Sequence, residues 1–209
     1  MIVKVCGMCD PDNIRDIANA GADWIGMIFY DKSPRYVGNA SDVLKDEIVA
    51  YNKELKKVGV FVNATFEDII ETRRAYRLDY IQLHGNEEPE LCDALKKQGV
   101  NVIKALSIAS EEDVKAADAY VGHVDFLLFD TKCEGYGGSG KQFDWSVLDA
   151  YTGETPFILS GGLKPDSAMP VKAFSHHRMA GVDINSGFEI SPALKNVDSV
   201  AGFIKNIKS

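Results

Sequence analysis

The 209-residue chain is 45% hydrophobic and 26% charged, a composition typical of a globular domain with one core. Lys and Arg number 23 against 31 Asp and Glu, and the net charge of −8 argues against nucleic acid or an anionic membrane as a partner. The apolar runs are far shorter than the roughly 20 residues of a membrane span, and Met1 to Cys6 lacks a signal-peptide pattern. Four cysteines are too few for a disulfide scaffold, so we expect a reducing, cytoplasmic location.

Eight short runs of apolar, β-branched and aromatic residues recur along the chain, roughly 22 to 33 residues apart. They carry few charges, as parallel strands covered on both faces do. The sequence therefore predicts eight strands, which begin near Ile2, Trp24, Lys57, Asp79, Val102, Val124, Pro156 and Gly181.

Helix signals lie between these runs. Asp10 followed by Pro11 is a typical helix start, and Gly21 ends that stretch. Thr65, with Asp68 three residues later, resembles a capping box. Further helices are predicted over 41–55, 87–98, from Ser110 onward, and over 144–151, 166–174 and 193–207.

Eight strands that alternate with eight helices indicate parallel βαβ units. A doubly wound open sheet usually has fewer strands and a glycine-rich turn after the first, whereas this turn reads CGMCD from Cys6. We therefore predict an α/β fold in which residues 1–209 form a single-domain (β/α)8 TIM barrel. The two longest intervals place extra loop residues after the second and sixth strands, on the face where such barrels carry active sites.

Two glycine-containing loops follow the seventh and eighth predicted strands. Gly161 and Gly162 lie in the first loop, and Ser186 and Gly187 lie in the second. In many barrels these two loops bind a phosphate through backbone N–H groups. The alternative is that both are ordinary strand-to-helix turns. The pairing of the two loops favours a phosphorylated small molecule as the ligand.

Polar residues end several of the predicted strands. Cys6 ends the first strand and shares a face with Lys4, Asp130 ends the sixth, and Gln82 and His84 share a face of the fourth. In a barrel such positions are typical of catalytic groups. Taken singly, a cysteine can also be a small core residue and an aspartate a helix cap.

Cys6 and Cys9 form a C-x-x-C motif, which can indicate a redox pair or half of a zinc site. Cys92 and Cys133 are isolated and no histidine lies near either, so we predict no metal. Arg35 follows Pro34 in the loop after the second strand. A stiffened arginine there could bind a substrate carboxylate in bidentate fashion, or it could be an ordinary surface residue.

Taken in order, these segments resemble the phosphoribosylanthranilate isomerase family of tryptophan biosynthesis. The matching stretches lie at KVCG (4–7), ADWIGMIFYDKSPRYV (22–37), VGVFVN (58–63), IQLHG (81–85), LLFDTK (127–132), GGSGKQFDW (137–145), FILSGGL (157–163) and GVDINSGFE (181–189). They span almost the whole chain.

The resemblance implies a cofactor-free Amadori rearrangement of N-(5-phosphoribosyl)anthranilate. We expect a monomer or homodimer. The resemblance further implies that Asp130 is the general acid at the ribose ring oxygen and Cys6 the general base at C2. A thiol that acts as a base needs a site that favours its thiolate. Arg35 would then face the anthranilate carboxylate, His84 and Asp183 would line the substrate site, and Gly161, Gly162, Ser186 and Gly187 would hold the phosphate.

The chain departs from the commonest family pattern at Met8, Cys9, Met27 and Asn185, none of which is a residue with an implied role. Another phosphosugar barrel enzyme is the alternative. Lys104 could serve a synthase of the indole-glycerol-phosphate type, but no partnering glutamate is evident in the sequence. A phosphate-ligand sensor without catalysis is the non-enzymatic alternative, although Cys6 and Asp130 are both present.

Overall fold

The computed structural model describes residues 1–37, 45, 46, 48, 54–132 and 142–209. Eight parallel strands close into a barrel in chain order, β1 beside β2 and so on until β8 returns to β1. This arrangement confirms the predicted strands and the (β/α)8 fold. The strands are β1 (Ile2–Val5), β2 (Trp24–Ile28), β3 (Lys56–Phe61), β4 (Tyr80–Leu83), β5 (Asn101–Ile108), β6 (Phe126–Thr131), β7 (Phe157–Leu159) and β8 (Met179–Ile184).

Helices cover the outside of the barrel, and their starts follow the predicted capping residues. The Asp10 carboxylate accepts a hydrogen bond from the Asn13 N–H at 2.7 Å, and the Thr65 hydroxyl accepts one from the Asp68 N–H at 3.2 Å. Ser110 forms a full capping box with Asp113. The described α-helices are α1 (Pro11–Asn19), α2 (Phe66–Tyr76), α3 (Pro89–Lys97), α4 (Glu111–Lys115), α5 (Ala168–Ala173) and α6 (Val197–Lys208).

Several predicted helices differ from the structure. Most of the helix expected over 41–55 lies outside the described residues. The stretches 116–120, 145–150 and 165–167 form 3-10 helices. Within the described part of the chain, no helix is long and apolar enough to cross a membrane.

The expectation that the last helix begins near residue 193 was wrong. Ala193 has a left-handed backbone (φ 69°), and the chain turns there between two short antiparallel strands, β9 (Glu189–Ser191) and β10 (Leu194–Lys195). Asn196 then caps α6 through the Ser199 N–H at 3.0 Å. A hairpin therefore replaces the first helical turn, because a turn residue interrupts the helical backbone.

The barrel interior changes in character from one end to the other. At the amino-terminal end of the strands, Trp24 stacks on Tyr80 with 4.5 Å between ring centroids and meets Phe126 edge-on. Val58, Ile103 and other buried apolar residues complete this layer. Because strand residues alternate inward and outward, the same inward rows continue to polar residues at the carboxyl-terminal end. The apolar layer therefore forms a floor beneath the polar one.

Candidate active site

A single cavity at the carboxyl-terminal end of the strands gathers most of the predicted site residues. Those that line it are Cys6, His84, Asp130, Gly161, Gly162, Asp183, Ser186 and Gly187, and Gln82 and Asn185 join them. Arg35 does not line the cavity. The barrel thus brings residues from both ends of the sequence to one place.

Cys6 lies directly after β1 and is almost completely buried, with 5% of its surface exposed. Its backbone N–H donates to the Ile184 carbonyl at 2.9 Å, which fixes the end of β1 against β8. Burial raises the pKa of the Cys6 thiol above its ordinary value, although Lys4 opposes that shift. Burial by itself therefore works against the thiolate that the sequence led us to expect, because a buried sulfur anion loses its hydration.

Lys4 and Asp183 form a buried ion pair next to Cys6. The two residues are register neighbours on β1 and β8, and Lys4 Nζ lies 2.9 Å from Asp183 Oδ2. Burial lowers the pKa of Lys4, but Asp183 and Cys6 outweigh it and raise that pKa overall. Asp183 Oδ1 is buried and has no hydrogen-bond partner among the described residues. One carboxylate oxygen thus holds Lys4 while the other is left for a ligand.

Asp130 is the second-last residue of β6 and faces the same cavity. Its Oδ1 accepts a hydrogen bond from the Thr131 N–H at 2.8 Å, and its Oδ2 lies 3.4 Å from His84 Nε2. On the other side of the ring, Gln82 Nε2 donates to His84 Nδ1 at 3.0 Å. This leaves the ring proton on Nε2, directed at the Asp130 carboxylate. The row from Gln82 through His84 holds Asp130 in a defined orientation.

The two glycine-containing loops lie against each other. Gly161 (φ 93°) and Gly162 (φ 62°) both have left-handed backbones. A Cβ on Gly161 would lie 2.2 Å from Thr131 Oγ1, and one on Gly187 would lie 2.2 Å from the Leu163 carbonyl oxygen. No hydrogen bond within the described residues occupies the N–H groups of Gly161 and Gly162. Side chains are thus excluded from a pocket edge made of backbone.

Arg35 lies beside the cavity in a second buried cluster that sequence reasoning missed. Its Nε and Nη2 donate to the two Glu189 carboxylate oxygens at 2.8 and 2.6 Å. Lys195 Nζ contacts Glu189 Oε1 at 2.5 Å and Asn185 Oδ1 at 2.8 Å. Asn185 lines the cavity and connects the cluster to it. Glu189 ended one of the recognisable motifs, but Lys195 fell within the predicted helix, so neither pattern indicated the pairing.

The described cysteines and Lys104 are the remaining residues that the sequence patterns singled out. Cys6, Cys9 and Cys92 are free thiols, and the described residues contain no His, Cys, Asp and Glu group suited to a metal. Cys9 Sγ donates to the Arg35 carbonyl at 3.2 Å, and burial raises the pKa of Cys9 to about 11. The expectation that Lys104 has no partnering glutamate was wrong, because its Nζ lies 2.8 Å from Glu87 Oε2.

Comparison with known proteins identifies the family. Residues 3–206 match the family model of N-(5'-phosphoribosyl)anthranilate (PRA) isomerase. The chain belongs to the PRA isomerase family. It is 53% identical over 209 residues to the N-(5'-phosphoribosyl)anthranilate isomerase of Parabacteroides distasonis, covering 99% of this chain and 93% of the relative.

Solved PRA isomerase structures share the whole barrel. The enzyme from Thermotoga maritima superimposes with a TM-score of 0.87 at 36% identity and covers 100% of this chain and 99% of its own. A PRA isomerase in complex with reduced 1-(o-carboxyphenylamino)-1-deoxyribulose 5-phosphate gives a TM-score of 0.83 at 33% identity, with coverage of 100% and 99%. The same fold thus binds a compound that carries a 5-phosphate in that relative.

Proposed function

We infer that this chain catalyses the Amadori rearrangement of N-(5-phosphoribosyl)anthranilate to 1-(2-carboxyphenylamino)-1-deoxyribulose 5-phosphate in tryptophan biosynthesis. The observation that carries this inference is the placement of a thiol and a carboxyl group at the ends of β1 and β6, both on one cavity. An aldose-to-ketose isomerisation needs one acid and one base that flank a small sugar. Membership of the PRA isomerase family supports the same reaction.

The chemistry begins at Asp130. Its carboxyl group protonates the ribose ring oxygen, the C1–O bond breaks, and the anthranilate nitrogen lone pair forms a C1=N Schiff base. Cys6 then removes the C2 proton, and the electron pair moves to form a C1=C2 enolamine while the Schiff-base electrons return to nitrogen. Ketonisation of the enolamine gives the product. His84, 3.4 Å from Asp130 Oδ2, keeps the acid facing the cavity.

The substrate phosphate is assigned to the two glycine-containing loops. Backbone N–H groups of Gly161 and Gly162 are unoccupied within the described residues, and Ser186 and Gly187 face them. Such N–H groups bind phosphate oxygens without a side chain in the way. The net charge of −8 makes this local donor set necessary, because the protein as a whole repels a dianion.

The sugar and the anthranilate are assigned to the remaining polar groups. Asp183 Oδ1 and Gln82 Oε1 are buried side-chain oxygens without partners among the described residues, and both residues line the cavity. We assign them to ribose hydroxyl groups. Arg35 is assigned to the anthranilate carboxylate through its Nη1, since Nε and Nη2 are bound to Glu189.

The partners and location remain proposals. The steps above use one acid and one base, so we propose no metal and no cofactor. A phosphorylated small molecule is the proposed ligand, and nucleic acid and membranes are not proposed. A cytoplasmic location and a monomer or homodimer remain predictions from the sequence.

Exchange of the two proton-transfer groups tests the function. Cys6→Ala and Asp130→Asn should each lower kcat by roughly 10² to 10⁴, the usual contribution of one general acid or base, in a fluorescence assay of phosphoribosylanthranilate consumption. Cys6→Ser should behave like Cys6→Ala, because a hydroxyl is a far weaker acid than a thiol. The losses should not multiply in the double variant.

Cys9→Ser is the matched control, because Cys9 lies beyond the strand end and does not line the cavity. Its kcat should stay close to that of the parent enzyme. A redox pair would instead require both cysteines equally. Full activity of the Cys6→Ala, Asp130→Asn double variant would rule out the proposed mechanism.

A further inference from the structure

Lys4 and Cys6 face the same small gap inside the barrel. They are alternate residues at the end of β1, and both are buried, with 0% and 5% of their surfaces exposed. Gly26 on β2 lies beside both side chains. An added Cβ there would lie 2.7 Å from Cys6 Sγ and 3.1 Å from Lys4 Nζ. The ammonium group and the sulfur therefore approach one point from two sides.

Asp183 fixes the ammonium group in this position. The register of β1 and β8 pairs Lys4 with Asp183, and the Nζ to Oδ2 distance of 2.9 Å is that of a charge-assisted hydrogen bond. Burial disfavours a charged lysine, but the carboxylate offsets this cost and Lys4 remains an ammonium ion. A fixed positive charge thus stands beside the Cys6 thiol, which lines the cavity.

Several charged groups surround Cys6. Burial has the largest effect on the pKa of Cys6 and raises it, and Lys4 is the strongest of the groups that lower it. The titratable and charged groups around the sulfur are Lys4 on its own strand, Cys9 and Arg35 in the loops after β1 and β2, Asp183 on β8, Lys195 on β10, and Asp130 and His84 across the cavity.

We propose that Lys4 is a positioning residue for the isomerase reaction, whose ammonium group stabilises the anionic sulfur of Cys6 while Asp183 holds that group in place. The proposal rests on the proposed function, in which Cys6 takes the C2 proton. In that step the C2–H bond breaks, an S–H bond forms, and the electron pair enters the enolamine. Lys4 keeps its three protons throughout, so its role is electrostatic.

The pH dependence of Cys6 alkylation measures this effect without reference to turnover. Iodoacetamide reacts with the thiolate, and peptide mass spectrometry reports modification of Cys6. The experiment uses a Cys9→Ser background, because Cys9 is only three residues away and would share the peptide. Lys4→Met should raise the alkylation midpoint by about one pH unit or more, so that the rate at pH 7 falls at least about tenfold.

The Lys4→Met, Asp183→Asn double variant is a second test, which covers the case that Lys4→Met does not fold. It removes both charges and leaves no buried carboxylate without a counter-ion. Because Lys4 acts on Cys6 more strongly than Asp183 does, Cys6 should still alkylate more slowly than in the parent protein. A rate equal to that of the parent would contradict the proposal.

Lys104→Met is the matched control. It removes another buried, carboxylate-paired lysine, but the Lys104 ammonium group contacts Glu87, Gly85 and Leu83 and not Cys6. The alkylation midpoint of Lys104→Met should equal that of the parent. Of the two lysine variants, only Lys4→Met should shift the pH profile of kcat/KM. Equal midpoints in Lys4→Met and Lys104→Met would overturn the proposal. The proposed function has a separate test. An active Cys6→Ala variant would contradict that function but would not change what the alkylation data show about Lys4.

Discussion

Two of the buried lysine–carboxylate pairs in this barrel, Lys104 with Glu87 and Lys4 with Asp183, differ in how completely their atoms are bonded. Lys104 Nζ donates to Glu87 Oε2 at 2.8 Å, to the Gly85 carbonyl at 2.6 Å and to the Leu83 carbonyl at 3.5 Å. Glu87 Oε1 accepts from the Asn63 N–H at 2.8 Å. This pair is closed, since protein groups satisfy both partners.

The pair of Lys4 and Asp183 is open. Asp183 has one oxygen on Lys4 and another that is buried without a partner among the described residues. The lysine faces the Cys6 sulfur as well as the carboxylate. Buried polar atoms are normally bonded, so an unbonded one on a cavity wall points to a ligand. The closed pair stabilises the fold, whereas the open pair is available to a substrate.

The largest expected effect comes from breaking the closed pair. Glu87→Gln leaves the Lys104 charge buried without a counter-ion, and we expect the free energy of unfolding to fall by about 3–5 kcal/mol. Urea unfolding followed by circular dichroism measures this loss. Glu112→Gln is the control, because its pair with Lys115 is highly exposed and its loss should leave the midpoint unchanged. A Glu87→Gln variant as stable as that control would show that the closed pair does not stabilise the fold.

The open pair should respond in substrate binding as well as in stability. Asp183→Asn keeps an oxygen for Lys4 but loses the charged acceptor that we assign to a ribose hydroxyl. We expect KM to rise by about 10- to 100-fold, the equivalent of about 1.5–3 kcal/mol for a hydrogen bond to a charged group. Steady-state kinetics and urea unfolding on one preparation give both quantities. An unchanged KM together with a large stability loss would make this pair structural as well.

Arg35 is partly bonded within the protein. Glu189 occupies its Nε and Nη2, and its Nη1 is the nitrogen that we assign to the substrate. Arg35→Ala should weaken binding of the carboxylated substrate by about tenfold, or about 1.4 kcal/mol, near the lower limit for a charged hydrogen bond. The comparison ligand is the phosphoribosyl derivative of aniline, which lacks the carboxylate. An equal loss for both ligands would assign Arg35 to holding Glu189 and the β9–β10 hairpin.

Local patterns were sufficient to predict the strands and most helix starts. Burial on both faces leaves charge-poor runs, and caps such as Thr65 and Ser110 act on backbone N–H groups within three residues. Polar residues at strand ends indicated the position of the cavity, because the carboxyl ends of parallel strands lie at one end of a barrel. The resemblance to the PRA isomerase family indicated the reaction. The hairpin near Ala193 was not predicted, because its left-handed backbone depends on the β9–β10 pairing.

The partners of the buried charges were decided only by the tertiary structure. Lys4 and Asp183 are 179 residues apart in the chain, and closure of the barrel makes β1 and β8 neighbours. Arg35 and Glu189, 154 residues apart, meet for a similar reason. Sequence alternation places Lys4 on the inward face of its strand, but it cannot say which carboxylate lies opposite. That choice depends on strand register, which is set by the packing of the whole barrel.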